Sequence, residues 1–257
     1  MKLSLTAVAG IPMVQPGDDL VELIGEAIIK EGDQLRDDDV LVIAQKIISK
    51  AEDRYVDLAD IEPTEEAIQL ALEVDKDPRH VQVILSESNE VVRKRLGVLI
   101  VEHKLGFVQA NAGVDQSNIE HDEEHQVVLL LPEDPDLSAR RIRAGVAEKY
   151  GVTVGVIIND SLGRAWRNGS MGLAIGVAGF TALEDYIGGF DMFGRELVVT
   201  QVGAADELSA GASLVMGQTD EKTPVVLVRG YRPVEPEEEE LRGVKPLLRD
   251  KLADMFR

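Results

Sequence analysis

Val152-Thr-Val-Gly-Val-Ile-Ile158 runs directly into Asn159-Asp160-Ser-Leu-Gly-Arg164-Ala-Trp-Arg167-Asn-Gly169, and a further apolar run occupies residues 173–177. The first stretch is short, apolar and rich in β-branched side chains, the signature of a buried strand. A polar loop, not a helix, separates it from the next strand. Strands and helices are thus mixed without steady alternation. The pattern predicts an α+β chain, with mixed sheets and flanking helices, over a doubly wound sheet.

Working outward, Leu3, Leu5 and Ala7 alternate with polar residues in an opening strand that ends at Gly10-Ile-Pro12. Asp18 is placed to cap a helix whose apolar residues Leu20, Leu23, Ile24, Ala27 and Ile28 follow a 3.6-residue period. Val40-Leu-Val-Ile-Ala44 reads as a buried strand with Gln45-Lys46-Ile-Ile-Ser49-Lys50 directly after it. Residues 64–95 read as two or three helices, at 64–73, 78–87 and 89–95, the second with Pro78 in its first turn. Residues 98–102 and 107–110 form a predicted hairpin, and residues 127–131 a strand. A helix is expected from Asp136 or Ser138 to Tyr150, stopped by Gly151. Residues 197–201 and 224–228 read as strands on either side of a small-residue helix at 204–216. The spacing of Gly172, Gly176 and Gly179 suits close packing, and residues 235–257 read as an acidic, then amphipathic, tail helix.

Two polar runs carry the chemistry: Asn111-Ala-Gly-Val-Asp115-Gln-Ser-Asn118 and Asn159 to Gly169 as quoted. Taken singly, each is rich in turn formers and reads as a loop. Together they set Asp115 and Asp160, hard oxygen ligands for a divalent cation, near Arg164 and Arg167, whose planar forks suit phosphate or carboxylate. No turn requires Arg-Ala-Trp-Arg, so Trp166 is placed for a flat ligand or for a structural cation–π pair. A phosphoryl-transfer site needs this combination.

Composition narrows the classes. The 257 residues, 44% hydrophobic, can bury a large core, and no apolar run reaches the roughly 20 residues of a membrane span. The opening residues lack a secretory apolar region, and no cysteine is present for a disulfide or thiolate, so the expectation is a cytoplasmic protein. A formal charge of −20 opposes binding to nucleic acid. An anionic substrate then needs a local basic pocket, for which Lys46, Lys50, Arg164 and Arg167 are the candidates. Neither the Gly-x-x-x-x-Gly-Lys loop nor the Gly-x-Gly-x-x-Gly turn occurs, leaving phosphates to metal ions and scattered basic groups.

The chain resembles the ligases that add L-glutamate to the precursor of the deazaflavin coenzyme F420, collinearly from about Gly10 to Arg229. The motifs are Gly10-Ile-Pro12, Gly17-Asp-Asp-Leu20, Ala44-Gln-Lys-Ile-Ile-Ser-Lys-Ala-Glu52, the two polar runs, Leu131-Pro-Glu-Asp-Pro-Asp136, Ala174-Ile-Gly-Val-Ala-Gly179, Ala205-Asp-Glu207 and Met216-Gly217. The resemblance implies a catalytic region at residues 1–230 of two intertwined lobes around a nucleotide and metal cleft, and a tail at 231–257. It implies a GTP-dependent ligase that activates the F420-0 carboxylate as an acyl phosphate and releases GDP and phosphate. It implies two divalent cations, Mg2+ or Mn2+, with K+ as a further candidate, and a homodimer. The metal ligands it implies are Asp115, Asp160, Ser161 and Gln218. GTP falls to Ile11, Pro12, Met13, Val14, Gln45, Lys46, Lys50, Asn118, Met216, Gly217, Thr219, Asp220, Glu221, Lys222 and Thr223. Lys50, Asp160 and Arg164 take catalytic roles, and Arg164, Trp166 and Arg167 meet the anionic precursor. Asp206 and Glu207 bind the ammonium of glutamate or, more simply, cap their helix. Ser161 stands where threonine is expected, Ala165 where proline is common, and Gln218 where relatives can carry an acid.

Two rivals remain. His121-Asp-Glu-Glu124-His125 matches an inverted zinc-hydrolase motif, which needs both histidines on one helical face. Its short charged context, with a strand immediately after, favours a surface loop. A non-catalytic nucleotide- or deazaflavin-binding module shares fold and pocket but has little use for paired hard-cation ligands.

Overall fold

The computed structural model describes residues 2–119, 126–232 and 243–255. Val40, Leu41, Val42 and Ile43 have no exposed surface. A strand buried on both faces belongs in the middle of a sheet. Accordingly β2 (Val40–Ala44) is the central strand of a five-stranded sheet, in the order β1 (Ser4–Ala7), β12 (Val225–Arg229), β2, β8 (Gly155–Gly163), β9 (Ser170–Ala178). Only β2 and β8 run parallel, with Ala44 beside Asn159; the remaining neighbours are antiparallel. The architecture is α+β with a mixed sheet, as the strand–loop–strand run at residues 152–177 predicts.

Helices cover this sheet at contacts that demand small residues. A Cβ on Gly172 would lie 2.4 Å from the backbone oxygen of Ser209 in α6 (Ala204–Met216), and one on Gly176 would lie 2.5 Å from the backbone of Pro135 in α5 (Pro135–Tyr150). Gly176→Ala should therefore cost about 1–3 kcal/mol of stability through overpacking. Denaturant titration checks this: an unchanged midpoint would mean the backbone yields freely at that crossing. On α1 (Leu20–Lys30), Gly25 likewise admits the ring of Tyr150.

Acidic side chains tie the layers. Asp134 caps α5 through the backbone N–H of Leu137, and Asp136 accepts from the N–H groups of Val177 and Val244. The Leu131 to Asp136 motif thus joins helix, sheet and the chain beyond residue 242. Arg229 closes the other end of the sheet, donating two 2.8 Å bonds to buried Asp39 and further bonds to Asp33.

A second hydrophobic cluster is built from residues 58–130. It holds α3 (Glu65–Val74), α4 (Pro78–Ser86), the antiparallel sheet β4 (Ser88–Arg95), β5 (Val98–His103), β6 (Val108–Ala110), and the pair β3 (Tyr55–Asp57) and β7 (Val127–Leu129). Thr64 and Asp77 cap the two helices. Between β2 and this region lies α2 (Gln45–Ala51).

Several expectations are corrected. Residues 89–95 are not a helix but β4, an edge strand joined to β5 across Leu96-Gly97, with Gly97 at φ 79°. Two helix starts shift: Asp19, not Asp18, caps α1, and Asp134, not Asp136 or Ser138, caps α5. The strand expected at 197–201 shrinks to β11 (Gln201–Val202), paired with β10 (Glu184–Asp185). Within residues 243–255 there is a 3-10 turn, Lys245–Leu247, and no α-helix, so the tail helix is not seen there. No described helix is long and apolar enough to cross a membrane. His121 and His125 lie outside the described residues.

Candidate active site

The parallel pair β2 and β8 delivers the first polar groups. Where β2 ends, Gln45 begins α2 and points Lys46 and Lys50 toward the loop after β6. Opposite, a register shift between Ile158 and Asn159 in the β8–β9 ladder marks the change from buried apolar strand to polar segment. Asn159 is buried and donates to the Ser213 hydroxyl of α6 at 3.3 Å, anchoring the residue before Asp160. A third approach comes from Asn111, Ala112 and Gly113, all at positive φ. Such a strained turn persists only where its surroundings hold it, and it is a frequent mark of functional loops. It leads into Asp115, whose backbone exchanges hydrogen bonds with Leu129.

These segments enclose a cavity of about 480 Å³. Its polar wall is Gln45, Lys46, Lys50, Asp115, Ser117, Asn118, Asn159, Asp160 and Ser161. Ile11, Pro12, Met13 and Val14 form an apolar wall with Ile47 and Ile119; the segment Met216, Gly217, Gln218, Thr219, Asp220, Glu221, Lys222, Thr223 and Pro224, largely polar, closes the remaining side. The nucleotide and metal residues named from the resemblance are therefore gathered in one cleft. A second cavity of about 170 Å³ shares Gln45, Asp115, Asp160 and Ser161 with the first and adds Gln109, Ala110, Gly113, Val114, Leu162 and Gly163.

The two carboxylates sit in opposed environments. Burial works to raise the carboxyl of Asp115, but the Lys46 ammonium at 2.6 Å and the N–H and hydroxyl of Ser117 outweigh it and hold it below the ordinary range. Burial pushes Asp160 up to about 6, against the Ser161 N–H, with the charge of Asp115 adding to the rise. Lys46 and the Gln45 side chain act in the lowering direction on Asp160. Neighbouring acids with separated pKa values are a recurrent property of reactive sites. Lys46 also donates to the backbone and side-chain oxygens of Ser117. Lys50, buried, donates to the carbonyl of Asn118 at 2.8 Å.

The arginines fall elsewhere. Arg164, Trp166 and Arg167 follow Gly163 on the exposed β8–β9 loop and line neither cavity. Arg164 donates to the carbonyl of Gly169, and Trp166 is 85% exposed. Asp206 does not cap α6, whose N-cap is Gly203; it accepts from the Ala174 N–H and binds the helix to β9. Gln109 was invisible as a site residue in the sequence, where it sits between apolar neighbours in Phe107-Val-Gln-Ala110.

No group of three or more His, Cys, Asp or Glu side chains that could hold a metal by itself occurs among the described residues. Asp115 and Asp160, with the Ser161 hydroxyl and the Gln218 amide in the same lining, make an all-oxygen donor set with two carboxylates. Mg2+ and Mn2+ are held in this way when phosphate oxygens and water complete their shells. The residues fit a cation that arrives with a polyphosphate, and do not form a self-sufficient cage.

The F420-0:Gamma-glutamyl ligase family model matches residues 10–230. A coenzyme F420:L-glutamate ligase of Methanothermobacter thermautotrophicus is 44% identical over the full length of both chains. Its namesake in Methanopyrus kandleri is 46% identical, covering 95% of this chain and 93% of its own. The Archaeoglobus fulgidus enzyme of that name is 42% identical, covering 90% and 88%. Matches of this length, running through the cleft-forming segments from Ile11 to Pro224, place the chain in the F420-0:gamma-glutamyl ligase family.

Proposed function

We propose that the protein joins L-glutamate to the F420-0 precursor in a GTP-dependent reaction that passes through an acyl phosphate. The observation that carries this reading is one cleft that sets an apolar wall, Ile11 to Val14 with Ile47 and Ile119, beside two lysines and a carboxylate pair. The apolar wall suits a nucleobase, and the wall of lysines and carboxylates suits its phosphates and their cations. A carboxylate is a poor electrophile, so amide formation requires a leaving group. Transfer of the γ-phosphoryl group to the precursor's lactyl carboxylate supplies one, and attack by the glutamate amine completes the bond.

Each residue has a part in this scheme. Asp115, Asp160, Ser161 and Gln218 hold divalent cations, which when bound neutralise phosphate charge and polarise the transferred group. Lys46 neutralises Asp115 before the nucleotide arrives and is within reach of its phosphates afterwards. Lys50, fixed on Asn118, offsets charge developing on the phosphates. Gln45 and the Ser161 N–H hold the Asp160 carboxylate in place. Such work is positioning and charge neutralisation, as expected for phosphoryl transfer. Arg164 and Arg167 guide the anionic precursor from the rim.

Incubation with GTP, Mg2+, L-glutamate and F420-0 tests the reading: GDP and a glutamylated product are expected in equal amounts. Absence of both would leave only a binding module. Replacing GTP with ATP should abolish product.

The active form is a homodimer in this reading. The arm between β10 and β11 exposes Phe190, Met192, Phe193, Val198 and Val199 together, an apolar display seldom left open to water. A second copy of the chain covers it. Light scattering should give twice the 28.0 kDa chain mass, reduced to the monomer by Phe193→Asp. A monomeric parent protein would refute this.

A further inference from the structure

Gln109 is the buried residue of β6, between exposed Val108 and Ala110. Its carboxamide lies over Gly113, where a Cβ would stand 2.8 Å from Nε2, so the strained turn at residues 111–113 makes room for it. Nε2 is buried and has no hydrogen-bond partner among the described residues. A buried donor without an acceptor is costly, and such a group persists where a ligand supplies the acceptor. Gln109 also lines the smaller cavity, which meets the nucleotide cleft at Asp115 and Asp160. A residue in the wall of that pocket, carrying a buried donor with no partner among the described residues, is placed to serve the group that receives the phosphoryl.

We propose that the smaller cavity is the subsite for the acceptor carboxylate and that Gln109 Nε2 donates to its acyl oxygen throughout the reaction. This rests on the ligase reading above. One carboxylate oxygen attacks the γ-phosphorus, and the bond from that phosphorus to the β-bridging oxygen breaks, its electron pair leaving with GDP. The other carboxylate oxygen becomes the acyl oxygen, held by Nε2. The amine nitrogen then attacks the acyl carbon and the carbon–oxygen bond to phosphate breaks, the pair and the amine's proton leaving with phosphate. Between those events the acyl oxygen carries negative charge, and the Nε2–H bond strengthens. A neutral amide suits both steps, since a cation would pair with the carboxylate and blunt its attack on phosphorus.

Gln109→Leu removes the donor and keeps the shape; Gln109→Glu keeps the size and repels a carboxylate. Four readouts are taken on the full chain with GTP, Mg2+, L-glutamate and F420-0. They are kcat and KM, GTP affinity at equilibrium, thermal midpoint, and hydroxamate formed when hydroxylamine replaces glutamate. For both variants kcat and hydroxamate should fall about 10²–10³-fold, the loss typical of one oxyanion donor, with GTP affinity within about twofold of the parent. In the parent, the Gln109 side-chain amide resonance should move downfield when F420-0 is added with GDP and stay put with GDP alone. A leucine variant as active as the parent would overturn the assignment. So would loss of GTP affinity in step with kcat, which marks a structural role. A parent that makes no product and spends no GTP overturns the ligase reading itself, and this assignment with it.

Discussion

Asp160→Asn is expected to lower kcat by at least about 10³-fold, some 4 kcal/mol of transition-state stabilisation, while leaving the fold as stable as before or more so. The second half follows from the carboxyl's position. Burial raises its pKa to about 6, so the folded protein disfavours the charged form. The corresponding stability is fully present below the unfolded value near 3.8 and is lost as pH rises through about 6. At pH 7 to 8 the charge is a cost, and asparagine removes it while retaining the shape. Discounted for partial solvent access, the gain is about 1 kcal/mol, or about 2–4 °C in thermal midpoint. Scanning calorimetry with single-turnover kinetics separates the two effects. Equal loss of activity and midpoint would make Asp160 a structural residue.

Chelation with EDTA should abolish product formation, and added Mg2+ or Mn2+ should restore it. The affinity for that cation should depend on pH in a defined window. A cation binds the carboxylate, so below about pH 6 it competes with the proton on Asp160, and affinity should fall about tenfold per unit. Asp115, held low beside Lys46, stays charged through this window and adds no slope. Above pH 7 the dependence should be flat. Isothermal titration of Mn2+ with a non-hydrolysable GTP analogue at several pH values measures the slope, and proton release in two buffers measures its cause. A pH-independent affinity between 5 and 7 would remove Asp160 from the ligand set.

Where periodicity and end signals agreed, the elements were legible: α3, α4, α5 and α6 stand within a few residues of expectation, as does β2. The failure at β4 has a specific reason. Ser-Asn-Glu-Val-Val-Arg-Lys-Arg mixes charge with only two β-branched residues, and its partner strand supplies most of the apolar surface. An edge strand of that kind is fixed by tertiary pairing, not by its own pattern. The Leu96-Gly97 turn was the local clue. Helix starts shifted because several acids lie within reach of each N-terminus, and only geometry selects Asp19 or Asp134.

The site divides along similar lines. Asp115 and Asp160 stand out because each lies in a polar run after an apolar strand, and the fold brings both to the same two cavities. Arg-Ala-Trp-Arg is the more conspicuous motif in sequence, yet it lies on an exposed loop outside both linings. Gln109 is the converse, a lone amide inside a strand whose importance appears only with its burial and its empty donor. The Leu131 to Asp136 motif is prominent for packing, through the capping of α5 and the bonds of Asp136.

The central claim is that the cleft moves a phosphoryl group onto a carboxylate before the amide forms. F420-0 labelled with 18O in its lactyl carboxylate tests it in one measurement, by mass analysis of the inorganic phosphate released during glutamylation. One labelled oxygen per phosphate is predicted, because the carbon–oxygen bond breaks with that oxygen on phosphorus. Product formed with unlabelled phosphate would contradict the account.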